Sequence, residues 1–219
     1  MYKITGVASG PIGTNCYSII NDETKEAILI DASGRKEKLL SLIKKNDAKV
    51  TTILLTHAHF DHMDGVSGIR EEFPDLEVII GKNDLPLLEN PTLNLSLSFM
   101  GDPISEHADR TVSDGDTIQL IGLDIKCIEV PGHTVGGMCY YIEMPSSTDS
   151  EKVTRLLFDG DTLFHGSIGR SDFPTGDGEA LVENIRTKLL CLPADTQVYP
   201  GHDSPSTIGW EAANNVYFT

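Results

Sequence analysis

The stretch TILLTHAHFDHMDG, Thr52 to Gly65, decides how this chain is read. An apolar, β-branched run ends there, and the eight residues from His57 to Asp64 then hold three histidines and two aspartates. The whole chain has seven histidines in 219 residues, so this density marks a site. In extended backbone, residues i and i+2 point the same way, and His57 and His59 can converge on one point. Asp61 and His62 fall in the turn that follows and can face a second point nearby. Two metal ions about 3.5–4 Å apart suit that arrangement. Imidazoles with carboxylates match zinc or another borderline first-row ion. A structural zinc site would favour cysteine, and none of the four cysteines lies near the cluster in sequence. Asp64, directly before the helical run GVSGIREEF, reads as an N-cap.

Working outward, His133 in VPGHTVGG and His202 in VYPGHDSP each follow a strand-like run and can supply further ligands. Five of the seven histidines then share one explanation. His107 and His165 are left as ordinary surface residues, although His165 in LFHGS can line the site. A carboxylate in LLFDGDTLF can bridge two metals. Asp159 and Asp161 both qualify by type, and strand alternation does not choose between them, because both would point to the same side.

Strand-like runs recur at Lys3 to Ala8, Cys16 to Ile20, Ala27 to Ile30, Val50 to Leu55 and Leu76 to Ile80, and later at Thr117 to Leu120, Ile125 to Val130, Met138 to Ile142, Thr154 to Phe158 and Gln197 to Tyr199. Helical periodicity covers Lys36 to Lys45 and Glu179 to Leu190, with further helices expected from near Asp64 and near Ser206. This mixture predicts sheets covered by helices, an α/β layered architecture in a single domain, residues 1–219. The polar stretch Asn90 to Asp114 reads as an extended loop with short pieces of order, and Pro145 to Lys152 as a turn-rich surface insertion.

The chain carries 33 acidic against 17 basic residues, a formal net charge of -16. That balance repels phosphate backbones and anionic lipid surfaces, so neither nucleic acid nor membrane is an expected partner. There is no apolar run long enough to span a bilayer. The N-terminal residues lack the pattern of a secretory signal, and the four cysteines, with no CxxC pair, read as free, buried thiols of a reducing compartment. A cytoplasmic location is expected.

THAHFDH, PGHT, GDTLF and YPGH, in this order, resemble the metallo-β-lactamase superfamily of hydrolases. Asn15-Cys16-Tyr17 and Asp31 also resemble the family's opening. The resemblance implies a four-layer αβ/βα sandwich and a dinuclear centre. His57, His59 and His133 would hold one metal, Asp61, His62 and His202 the other, and Asp161 would bridge them. Two divalent ions are implied, zinc first, with iron or manganese as alternatives. DGDTLFHGSIGRSDFPTGD, LPADTQVYPGH and STIGWEAANN look most like the short glyoxalase II group. That likeness implies hydrolysis of S-lactoylglutathione or a related small-molecule thioester by a metal-activated hydroxide, with Asp61 and Asp161 fixing its orientation. Arg170 would contact a substrate carboxylate, with pairing to Asp172 as its alternative. The sequence departs from the family in having Gly137 where PGHTxGH ends in His, and in having no Lys or Arg after Lys188. The runner-up reading is a mononuclear-iron persulfide dioxygenase, which Ser171 in GRSDF and His202-Asp203 resemble.

Overall fold

The computed structural model describes residues 1–145 and 153–219. Most of the turn-rich insertion expected at Pro145 to Lys152 therefore lies outside the described residues. Two compact units emerge, one comprising Met1–Val112 and Leu120–Gly122, the other Ser113–Gln119 and Leu123–Thr219.

The first unit is a six-stranded sheet whose spatial order equals its sequence order: β1 (Tyr2–Ser9), β2 (Thr14–Asn21), β3 (Glu26–Ile30), β4 (Lys49–Leu54), β5 (Glu77–Gly81) and β6 (Arg110–Val112). Tight turns join β1 to β2 and β2 to β3, and these pairs are antiparallel. From β3 to β6 every pair is parallel. Parallel neighbours need long crossovers, which here carry α1 (Lys36–Lys44), α2 (Phe60–Met63), α3 (Val66–Glu72), α4 (Leu85–Leu88) and α5 (Ser96–Phe99). Leu39, Leu40, Leu42 and Ile43 of α1 are buried in one cluster with Leu29 of β3 and Ile53 of β4. Burying each such side chain stabilises the fold by about 1.5–3 kcal/mol. Because β3 alternates, Ala27 and Leu29 join this cluster while Ile28 and Ile30 face the opposite side, equally buried. Both faces of the parallel strands are thus apolar, as buried parallel sheets require.

The second unit holds a six-stranded mixed sheet built from β7 (Thr117–Leu120), β8 (Leu123–Glu129), β9 (Met138–Pro145), β10 (Val153–Gly160), β13 (Gln197–Pro200) and β14 (Ser206–Thr207), in the order β14-β13-β10-β9-β8-β7. A small hairpin, β11 (Leu163–Phe164) with β12 (Ser167–Ile168), follows β10. The crossover to β13, which pairs parallel with β10, contains α6 (Gly178–Asn184) and a π-helical turn, Ile185–Leu189. Leu181, Ile185 and Leu189 fall on one stripe and bury against Leu157 and Val198. Asp177 caps α6 by accepting from the Ala180 amide at 3.0 Å. The unit ends with α7 (Ile208–Asn214), capped by Thr207, whose hydroxyl accepts from the Trp210 amide at 3.2 Å.

The α/β class and all ten expected strands are present. Strand β6 lies inside the stretch read as loop, since three residues are too few to show alternation. Of the four thiols, Cys16, Cys127 and Cys139 are buried and free, but Cys191 is exposed, contrary to expectation. It lies two residues past Leu189, about 200° around a helix from the buried stripe, and its thiol faces the Lys188 carbonyl at 3.2 Å. Among the described residues no helix is long and apolar enough to cross a membrane.

Candidate metal centre

In the first unit, β4 delivers the chain directly into the His/Asp cluster. His59 sits at the N-terminal boundary of α2, so Asp61 and His62 occupy that helix's single turn. His57, His59, Asp61 and His62 are 2%, 3%, 5% and 0% exposed. Burial of so many polar groups needs compensating partners, and the surrounding residues supply several of them. The Asp31 carboxylate accepts from the Thr56 amide and the Thr56 hydroxyl, both at 2.8 Å, and from His62 Nδ1 at 2.8 Å. Since the Thr56 hydroxyl has spent its one hydrogen on Asp31, it can only accept from His57 Nδ1, 3.2 Å away. Nδ1 therefore acts as the donor in both His57 and His62, which turns both Nε2 atoms towards the other donors of the cluster. Thr14 donates to Asp61 Oδ2 at 2.7 Å, and Asp84 accepts the Ala58 amide at 3.1 Å between the two first histidines.

The donor atoms so fixed are close together. His57 Nε2 lies 3.1 Å from His59 Nδ1, and His62 Nε2 lies 3.3 Å from Asp61 Oδ2. Two nitrogens on one tetrahedral zinc at about 2.05 Å would be about 3.3 Å apart. Imidazole nitrogen and carboxylate oxygen at this spacing fit a borderline divalent ion, so the residues present suit the metal that the motif implies.

In the second unit the donors come from three separate turns. His133 follows β8, Asp161 follows β10, and His202 follows β13. The Asp161 Oδ2 atom is 3.7 Å from His133 Nε2 and 3.5 Å from His202 Nε2, so one carboxylate oxygen stands within reach of two imidazoles. His133 Nδ1 donates to the Arg170 carbonyl at 2.7 Å, which again leaves Nε2 as the ligand atom. Gly169 lies so close beneath that a Cβ there would overlap the Asp161 carbonyl.

Asp159 and Asp161 part company here. The register between β10 and β13 slips between Phe158 and Gly160, and Gly160 adopts φ 53°. This bulge breaks the alternation that would have pointed both aspartates the same way. Asp159 turns inward, 1% exposed, and accepts the Leu163 amide at 2.9 Å. Burial, aided by the charges of Asp161 and Glu211, outweighs that hydrogen bond and pushes its carboxyl well above the usual range. Asp159 is spent on a backbone amide in the interior, whereas Asp161 Oδ2 stands between two histidines.

Asp64 does not N-cap the helix that follows it; it is the C-cap of α2. Gly65 holds the N-cap position of α3, and Asp64 instead accepts the Gly34 amide at 2.6 Å, tying the cluster to the loop after β3. Arg170 is bidentate to Asp172, both bonds 2.7 Å, and its guanidinium lies 3.8 Å over the Phe173 ring. Thr14, Thr56 and Asp84 were not singled out from sequence, and Asp31 was noted only for its likeness to the family. An acid abutting the apolar run AILI is the signal that marks Asp31. Its backbone confirms a special task, with φ 57°, a region non-glycine residues avoid unless held there.

A family profile described as "Metallo-beta-lactamase superfamily" matches residues 9–202. The chain is 35% identical over 206 residues to hydroxyacylglutathione hydrolase GloC of Haemophilus influenzae, covering 93% of this chain and 92% of that protein. Its structure is similar to that of BLEG-1 B3 metallo-beta-lactamase, with a TM-score of 0.88, 35% identity and coverage of 99% and 100% of the two chains. It is also similar to TTHA1623 in a di-iron-bound form, with a TM-score of 0.77, 34% identity and coverage of 97% and 99%.

Proposed function

The chain belongs to the metallo-β-lactamase superfamily and has its α/β sandwich fold, and from that premise we propose a glyoxalase II-like thioester hydrolase that cleaves S-lactoylglutathione or a related acyl thioester. The coarser activity, metal-dependent hydrolysis, comes with the family. The side chains we assign to metal binding are His57, His59, Asp61 and His62 of the first unit and His133, Asp161 and His202 of the second, which would hold the divalent ions. Zinc is the first candidate, and the di-iron form of TTHA1623 makes iron the second. We assign the whole chain, 1–219, to one catalytic domain.

The observation that carries the metal centre is the set of locked tautomers. His57, His62 and His133 each give their Nδ1 proton to a neighbouring oxygen, and such outer partners are what hold ligand imidazoles in place. The thioester rests on the likeness to GloC along nearly the full length of both chains.

When bound, such ions supply a water acidic enough to ionise near neutral pH and a Lewis acid for the thioester carbonyl. The chain's residues do the rest. Asp31, through His62 and Thr56, and Thr14, through Asp61, fix the ligand directions. Asp61 and Asp161 would accept hydrogen bonds from the attacking water and so orient it. Arg170 contacts a substrate carboxylate. Its pair with Asp172 is exposed, with side chains 56% and 67% accessible, and exposed pairs contribute little, so a substrate carboxylate can displace it.

The test is to purify the protein without added metal, count zinc, iron and manganese per chain, and assay S-lactoylglutathione beside a β-lactam. Two zinc-like ions with thioester turnover are expected. One iron and no hydrolysis would favour oxygen-dependent persulfide chemistry, and β-lactam turnover alone would reassign the substrate.

A further inference from the structure

We propose that a cleft in the first unit, walled by the β1–β2 turn and the start of α1, binds the anionic end of the thiol carrier on which the acyl substrate is delivered; this rests on the thioesterase reading above. The cleft has a volume of about 910 Å³ and is lined by Ser9, Gly10, Pro11, Arg35, Lys38 and Met100 among others. That volume lies within the range of small-molecule sites.

Charge gives the first reason. In a chain of net charge -16, Lys3, Lys25, Lys36, Lys49, Arg70, Arg155, Arg170, Arg186 and Lys188 all sit in ion pairs. Arg35 and Lys38 are exposed and, like Lys44, Lys45, Lys82, Arg110 and Lys126, enter no ion pair among the described residues, but of these only Arg35 and Lys38 line the cleft. Two cations left unpaired on one cleft, in so acidic a protein, make a site for an anion. Glu37 and Asp64 also line it, but Asp64 is already committed to the Gly34 amide, and Glu37 is a single charge against two.

Polar groups that lack partners give the second. Arg35, the N-cap of the nine-residue α1, offers no side-chain acceptor; the Lys38 amide turns back to the Arg35 carbonyl at 3.1 Å, which leaves the Lys36 and Glu37 amides to face an anion. Ser9 is 1% exposed, and its hydroxyl has no hydrogen-bond partner among the described residues. A buried hydroxyl in that condition is destabilising unless a ligand satisfies it.

Position gives the third. The turn after Ser9 leads into Thr14, which holds Asp61. The segment before Arg35 begins at Asp31, which holds His62. Asp64, two residues past His62, forms part of the cleft itself. The cleft therefore adjoins this unit's metal ligands through three connections. Pro11 and Met100 add apolar wall for the carrier's aliphatic part. The shared ligand chemistry is a thiol carrying carboxylates or phosphates, a glutathione or a coenzyme A.

The test titrates S-methylglutathione, which has no scissile acyl bond, and free coenzyme A into wild-type holoenzyme and the R35A/K38A variant by calorimetry. Steady-state kinetics follow on S-lactoylglutathione, a coenzyme A thioester and the uncharged N-acetylcysteamine thioester. Both side chains are exposed, and an unchanged thermal midpoint checks that the variant folds. Loss of two charge-assisted contacts should raise Kd and KM for the anionic carrier by about tenfold or more. The kcat should stay within about twofold and the uncharged thioester should be unaffected, as expected for ground-state binding. A shift confined to glutathione compounds assigns the cleft to carboxylates, and one confined to coenzyme A assigns it to phosphates. Equal binding by variant and wild type, or no binding by wild type, overturns the proposal. Wild-type binding that the variant loses, with no thioester turnover in either, would leave the cleft standing and sink the thioesterase reading; turnover with unchanged binding would do the reverse.

Discussion

The two units furnish their metal donors in contrasting ways. In the first, four donors arrive within six residues, all at most 5% exposed, and are braced by Asp31, Thr14 and Thr56. In the second, three donors come from turns scattered across 70 residues, and the His202 and Asp161 side chains are 23% and 13% exposed. The first is held by protein acceptors, which fix the directions of its imidazoles. The second depends on one carboxylate oxygen standing between two imidazoles. The contrast teaches that contiguity and bracing go together, because neighbours in sequence can share a single outer acceptor as His62 and Thr56 share Asp31.

The strongest way to break this contrast is Asp161→Ala. It should lower turnover by more than the roughly 100-fold upper range of outer-partner losses, and metal counting should fall from two ions towards one. Retention of two ions would show that the scattered half is as braced as the contiguous one. Asp31→Asn comes next. It keeps the shape but removes the charged acceptor of His62 Nδ1, and should reduce metal affinity or activity about 10–100-fold, read by competition with a chelator. Thr14→Val removes one donor to Asp61 and should lie at about the tenfold end of that range, in kcat rather than in KM.

A smaller effect concerns stability. In the second unit burial alone would raise Asp114, but the Lys188 ammonium and the Glu129 amide outweigh it and hold its carboxyl below the usual range. A depressed carboxyl contributes stability above the unfolded value near pH 4, and this is lost as pH falls through the folded value. Both side chains are partly exposed, so Asp114→Asn should lower stability by no more than about 1 kcal/mol at pH 7. The difference from wild type should vanish in acid, as measured by urea unfolding across pH. The smallest perturbation is alkylation. Burial pushes the Cys16 thiol up to about 12 and the Cys139 thiol well above its ordinary value, so at pH 8 iodoacetamide should label Cys191 alone, with activity unchanged. Label on Cys16 in the folded protein would show that the first unit opens.

Much of this was legible in the sequence. Alternation and 3.6-residue periodicity placed the strands and the two long helices, and the strand-end cluster announced metal on its own. The second unit's donors were visible only as lone histidines in glycine turns, and their assignment needed the resemblance. The choice between Asp159 and Asp161 was beyond pattern, because it depends on a bulge, and a bulge is set by the pairing of β10 with a strand some forty residues away. The bracing of Asp61 by Thr14 was hidden for the same reason, a contact 47 residues apart in the chain. Asp64 looked like an N-cap because caps are local, and its true partner, Gly34, is 30 residues distant.

The slipped pairing after Phe158 has a consequence for how this protein can change over generations. Without the slip, alternation would point Asp159 and Asp161 to the same side, so the division into one buried acid and one ligand rests on a single irregularity of pairing. The centre is therefore more sensitive to the length of β10 than to substitutions along it, because a one-residue change of length shifts every later side chain to the other face.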